Sequence, residues 1–305
     1  MRIRGRNPLT VLSRVSISKG SSQYYLMVES AYTVIAMACK IMEYYKKGKE
    51  HRRLYSGTSI LERVRTEHIL RRFISKPPLV IADIGGGTGP YAFMLAKMGY
   101  SVHLIDLTLV HTEKAKFIEK TSGHQLARIS VGDARFIGLN DQSIDVVLFL
   151  GPLYHITARE DRIKALREAY RVLKPKGLIF AAGISRFTSF IDGIRGGYIN
   201  DPDFVSIINQ DLKNGAHMNP ENKPFYFTTA FFHHPNELKQ ELEDSGFIFK
   251  SELAIEGPAW ITKDFDTYWK VTKLRKKILS FIETIESDST LIGASAHIMA
   301  IGKKE

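Results

Sequence analysis

Val80-Ile81-Ala82-Asp83-Ile84-Gly85-Gly86-Gly87-Thr88-Gly89 sets an apolar, β-branched run and one acid against four glycines in five residues. The apolar run predicts a buried strand. A helical pattern, Tyr91 to Lys97, follows the glycines. Glycine allows a sharp turn and lets a ligand lie against bare backbone. A strand, a glycine turn and a helix N-terminus together form a loop of the kind that binds nucleotides.

Ser101 to Asp106 is a second β run, and its terminal acid lies 17 residues after Gly89. An acid at the tip of a second strand can accept hydrogen bonds from two ribose hydroxyls. The dinucleotide fingerprint G-x-G-x-x-G is not met from Gly85, because Pro90 stands where the last glycine is required. Counted from Gly87, that position holds Ala92. An NAD dehydrogenase is therefore a remote alternative.

Asp83, Gly85, Gly87 and Gly89 match D-x-G-x-G-x-G. The stretch resembles motif I of the class I methyltransferases that use S-adenosylmethionine (SAM). More of that family's layout follows in order. Val131-Gly132-Asp133-Ala134 resembles the end of its third strand, where the resemblance implies adenine contacts by Asp133 and the amide of Ala134. Ser143 to Leu150 resembles the fourth strand, Arg162 to Leu173 a helix, Leu178 to Ile184 the fifth strand and His297 to Gly302 the last. The resemblance covers about residues 42–305. It implies a Rossmann-like, doubly wound α/β sheet of about seven strands, with N-terminal helices. SAM is the implied cofactor, held by Asp83, Gly85, Gly86, Gly87, Gly89, Asp106, Leu107, Asp133, Ala134 and Leu150.

Composition sets limits on partners and location. Hydrophobic residues make up 44% and charged residues 25%, as in an ordinary globular chain. The single cysteine, Cys39, excludes an internal disulfide and points to a reducing compartment, hence the cytoplasm. The net charge of +11 is uneven: residues 1–53 hold 11 Lys and Arg against Glu29, Glu43 and Glu50. Residues 1–41 read as a basic leader of unknown role. Their lack of acid before Glu29 and their arginines and serines resemble a mitochondrial transit peptide, the alternative location. Met42 as the natural start is another reading. The apolar run Tyr24 to Cys39 is 16 residues long and contains Glu29, short of the roughly 20 that a membrane span needs.

Residues 42–305 read as one methyltransferase domain. Residues 42–75 form a helical stripe that ends at Pro77-Pro78, with Arg65 and Glu67 on a solvated face. Residues 79–184 alternate strand and helix. Residues 185–234, rich in glycine, proline and aromatics, break the alternation and read as a substrate cap. Pro235 to Ser245 reads as a helix, Phe247 to Ile255 as a strand, and Lys263 to Glu286 as helical and partly exposed.

SAM carries an activated methyl group, so the protein must chiefly aim the acceptor and exclude water. Gly151-Pro152-Leu153-Tyr154-His155 follows the fourth strand, where open α/β sheets bind ligands. His155 is the candidate general base and Tyr154 a candidate wall of the methyl channel. The segment resembles a bacterial small-molecule subgroup, and the family model expected is methyltransferase domain 11 or 25. It departs from the [D/N]-P-P-[Y/F/W] of nucleic-acid amino methyltransferases, which counts against a nucleic-acid partner. Tyr44, Tyr45, Arg186, His217, Tyr226 and His233 are candidate acceptor contacts. No metal is expected, and the oligomeric state is left open. Methyl transfer to a small molecule competes with two alternatives: RNA or protein methylation gripped by the basic N-terminus, and a SAM-binding module without catalysis. No H-E-x-x-H, G-x-S-x-G or Walker motif occurs.

Overall fold

The computed structural model describes residues 53–219, 223 and 226–305. In the interior of the sheet lies β1 (Val80–Ile84), buried along nearly its whole length as its apolar sequence demands. It pairs in parallel with β2 (Ser101–Asp106) on one edge and β4 (Ile144–Phe149) on the other. β3 (Arg128–Val131) extends the sheet beyond β2, and β5 (Leu173–Ser185) extends it beyond β4. β9 (His297–Lys303) returns antiparallel along β5, and β8 (Ile248–Ala254) pairs antiparallel with β9. These seven strands have the order β3-β2-β1-β4-β5-β9-β8.

Two further strands come from the insertion. β7 (Ala230–His233) pairs in parallel with Ile184 and Ser185, and β6 (Ala216–His217) pairs antiparallel with β7. Ile184 also pairs with His297 of β9, so β7 runs along the other edge of β5. It takes up the edge that β4 leaves when it ends at Phe149. The region read as a cap therefore contributes to the sheet, directly beyond the carboxyl end of β4.

Helices cover both faces. α1 (Ser59–Phe73), α2 (Pro90–Lys97) and α3 (Leu109–Ser122) send Ile69, Leu70, Tyr91, Leu95 and Ala115 onto one face. Between β4 and β5 lie the short α4 (Pro152–His155) and α5 (Arg159–Val172). In the insertion come α6 (Thr188–Gly196) and α7 (Pro202–Asn214), then α8 (Pro235–Asp244) after β7. α5 and α8 cover the opposite face through Leu166, Ala169, Leu238 and Leu242.

Two sequence expectations need correction. The helical stretch expected over residues 263–286 is divided at the extended Val271 into α9 (Phe265–Lys270) and α10 (Thr272–Ile285). Arg65 does not lie on a solvated face. It is wholly buried, donates to the carbonyl of Ile255 and pairs with Glu286. An ion-paired arginine can occupy a core position that its charge alone forbids. Among the described residues no helix is long and apolar enough to cross a membrane.

Candidate functional site

Three loops meet at the carboxyl ends of β1, β2 and β4. The glycine turn after β1 holds Gly85 at φ +68°, Gly87 at +59° and Gly89 at +86°, a region that residues with a β-carbon seldom adopt. A β-carbon on Gly85 would stand 2.6 Å from Cγ of Pro152. The loop after β4 is thus packed directly on the loop after β1. Gly87 opens onto space: a β-carbon there would meet only Nδ1 of His111, at 3.9 Å. That is the bare backbone a bound cofactor needs.

Asp106 ties this turn to the second strand. Its Oδ2 accepts from the amide of Gly87 at 2.9 Å, and its Oδ1 from the amide of Thr108 at 2.8 Å. Nδ1 of His111 lies 3.1 Å from Oδ1. Burial works against ionisation, but His111 and the two amides outweigh it and hold the carboxyl below its ordinary pKa. An ionised carboxylate offers about four lone-pair positions, so acceptor capacity remains for ribose hydroxyls. His111 was not singled out from sequence. Its only signal is its place in the first turn of the helix after Asp106.

Asp83 lies beneath the same turn, and a β-carbon on Gly86 would stand 2.4 Å from its Oδ2. Its side chain is wholly buried, and neither oxygen has a hydrogen-bond partner at ordinary distance among the described residues. Burial, and then the Asp106 charge, push its pKa up to about 7, with the Ala92 amide opposing. A raised acid binds its proton more tightly when folded. Its contribution to stability is therefore complete below about pH 4 and is lost as pH rises through 7, a change on the order of 4 kcal/mol. We expect the stability of Asp83→Asn to exceed that of the parent increasingly between pH 5 and pH 8. Urea midpoints at each pH measure this, and a constant difference would refute it.

The other expected cofactor residues vary in placement. Asp133 gives both carboxylate oxygens to its neighbour Arg135, which also reaches Asp161 at 2.7 Å. The carboxylate is thus engaged in an ion pair, while the backbone beside it leads to Ala134, buried in the core. Leu107 and Leu150 are half-buried at the ends of β2 and β4.

α4 carries the expected catalytic pair. The rings of Tyr154 and His155 lie 4.7 Å apart, and both pack against Phe227 of the insertion, at 6.2 and 5.8 Å. Burial pulls the His155 pKa down to about 4, although the Asp106 carboxylate pulls the other way. A base that weak is poorly matched to proton abstraction near neutral pH. Arg162 anchors the end of this loop, donating from Nη1 to the carbonyls of Ile156 and Thr157 at 3.0 and 2.7 Å.

The expected acceptor contacts separate into three groups. His233 is buried on the face of β7 away from Tyr154, where its Nε2 lies 3.3 Å from Glu241 within the Arg162–Glu241 ion pair. Arg186 pairs with Glu237 at the start of α8, and the Tyr226 hydroxyl pairs with Asp201. These three are held in structural contacts, which their sequence positions did not reveal. His217 lies opposite Ala230 in β6, on the face that carries Phe232, and its ring stacks on Phe232 at 4.4 Å. Tyr154 and Phe227 pack on this same cluster. Tyr44 and Tyr45 lie outside the described residues.

Among the described residues, one cluster has metal-ligand chemistry. Glu62, Glu256 and His297 bring ligand atoms within 4.8 Å of one another. Arg53 pairs with Glu62, and Nδ1 of His297 lies 2.6 Å from Glu256. Burial opposes protonation of His297, but the two carboxylates outweigh it and raise its pKa. The cluster thus balances its charge internally.

A family model described as "Methyltransferase domain" matches residues 82–181, from β1 through the Asp106 and α4 loops into β5. Demethylmenaquinone methyltransferase of Lactobacillus johnsonii is 29% identical over 171 residues, 54% of this chain and 66% of that protein. Probable tRNA methyltransferase 9B of Mus musculus is 29% identical over 110 residues, 35% of this chain and 23% of that protein. The first curated relatives are thus matched over roughly a quarter to a half of their length. The solved structure of a SAM-dependent methyltransferase from Methanosarcina mazei shares the fold, with TM-score 0.54, 19% identity, and coverage of 77% of this chain and 96% of that one. SAM fits the open Gly87, the ionised Asp106 and the buried carboxylate of Asp83 beneath the turn. The glycine turn and the strand order are those of the fold shared with that SAM-dependent methyltransferase, and residues 82–181 match the methyltransferase domain.

Proposed function

We propose that the protein transfers a methyl group from SAM to a small-molecule acceptor at the carboxyl end of β4. The observation that carries this reading is the closure of α4 by the insertion: Phe227 packs on both Tyr154 and His155, with β7 alongside. An enclosed, aromatic-walled position suits a small acceptor better than a structured macromolecule. The longer match to a quinone-type methyltransferase, 171 residues against 110, favours the same side.

Asp83, the Gly85–Gly89 turn and Asp106 would hold the cofactor, with Leu107, the Asp133–Ala134 backbone and Leu150 around the adenine. When bound, SAM supplies a methyl group already activated by its sulfonium. Tyr154 and His155 position the acceptor and keep water out. His155→Ala is expected to leave SAM affinity within about threefold while lowering turnover by about 10-fold or more. Calorimetry and single-turnover kinetics separate the two effects, and a parallel loss of both would make His155 structural.

The name of the tRNA methyltransferase relatives and the basic residues before position 54 favour a second reading, an RNA acceptor. Incubation with methyl-labelled SAM and either a metabolite extract or bulk tRNA decides between them. We expect label in the small-molecule fraction. Label confined to tRNA would overturn the proposal.

A further inference from the structure

We propose that His217, held by Asp211, is the general base that takes the proton of a protic acceptor. This rests on the reading above, of a methyltransferase working at α4. Nδ1 of His217 lies 2.9 Å from Oδ2 of Asp211. Ser189 Oγ donates to that same carboxylate oxygen and lies 3.4 Å from Nδ1. All three residues are buried, Asp211 and His217 to 1% exposure or less. In the proposed pair the Asp211 carboxylate accepts, so Nδ1 carries the hydrogen and Nε2 presents a lone pair.

That Nε2 is buried without a hydrogen-bond partner among the described residues. Buried polar atoms are nearly always paired, and an orphan at the end of a carboxylate–imidazole pair calls for a partner that the described residues do not supply. The topology indicates where the partner would be. β6 and β7 present His217, Ala230 and Phe232 on one face, against which Tyr154 and Phe227 pack. Phe227 touches both imidazoles: its ring lies 5.8 Å from that of His155 and 6.2 Å from that of His217. His217 thus stands across Phe227 from the methyl-transfer position.

The acceptor class is one whose reacting atom bears an ionisable hydrogen, a hydroxyl or a protonated nitrogen. The bond from that atom to the methyl carbon forms as the S–CH3 bond breaks, and the breaking pair stays on sulfur. The proton goes to Nε2, and Asp211 stabilises the imidazolium. Asp211 is the positioning residue, since it sets the tautomer without touching the acceptor.

Long-range 1H–15N spectra of histidine-labelled protein at neutral pH test the state of the base without any acceptor. We expect a single Nδ1–H tautomer with a bare Nε2, and loss of that preference in Asp211→Asn. An Nε2–H tautomer would overturn the inference, because that nitrogen could then accept no proton. In parallel, His217→Gln is expected to bind SAM within about threefold of the parent and to lose at least about 100-fold in label transfer to the metabolite extract. Label transfer within threefold of the parent, or SAM binding that falls in step, would also overturn it. Failure of the underlying reading has a different signature, the absence of small-molecule label with the parent protein itself.

Discussion

Glu241→Ala lowers the stability of the folded protein by about 3–5 kcal/mol, because it leaves a buried arginine without its counter-charge. Arg162 and Glu241 are each 1% exposed and joined by three hydrogen bonds of 2.8–3.0 Å. The guanidinium also lies over the Phe231 ring, 3.6 Å from its centre. Such a loss is a large fraction of the roughly 5–15 kcal/mol that holds a domain together. Urea denaturation gives the number. The double variant Arg162→Met, Glu241→Leu separates charge from architecture. It removes both ions, so much of the stability is expected to return. Turnover is not expected to return with it, because the Arg162 donors to Ile156 and Thr157 are gone and the α4 loop loses its anchor. A single variant within 1 kcal/mol of the parent would contradict the account.

Asp106→Ala weakens SAM binding by about 100-fold or more. Hydrogen bonds to a charged group contribute roughly 1.5–3 kcal/mol each, and two such bonds correspond to that factor or more. Asp106 makes two to backbone amides, of Gly87 and Thr108, and these hold the glycine turn against the end of β2. The substitution removes both and the acceptor capacity left for ribose. Asp106→Asn is no conservative change, since its amide nitrogen must face one of those N–H groups. Calorimetric titration of SAM into each folded variant measures the loss, and affinity within threefold of the parent would refute the role given to Asp106.

Some of the site could be read from the chain and some could not. The Asp83–Gly89 turn and Asp106 were legible because their signals are contiguous: an apolar run, a glycine cluster, an acid at a strand tip. The alternation of strand and helix over residues 79–184 was legible too, as was the place of Gly151 to His155 after β4. Arg65 was misread because its partner, Glu286, lies 221 residues away. Arg186 looked like an acceptor contact for the same reason, its partner lying 51 residues on, and His233 because its partner, eight residues on, sits on the following helix. Their carboxylate partners sit on α8, and nothing local announces the pairing.

The sequence by itself therefore determined the strand and turn chemistry, the sheet architecture and the cofactor loop, because backbone preference and hydrophobic periodicity act over a few neighbouring residues. Only the tertiary structure decided the surroundings of the titratable groups. Burial took His155 down to about 4 and pushed Asp83 up to about 7, and a turn at Gly215 brought His217 back against Asp211. Desolvation and pairing depend on what packs around a side chain, and that is set by contacts between segments far apart in the chain.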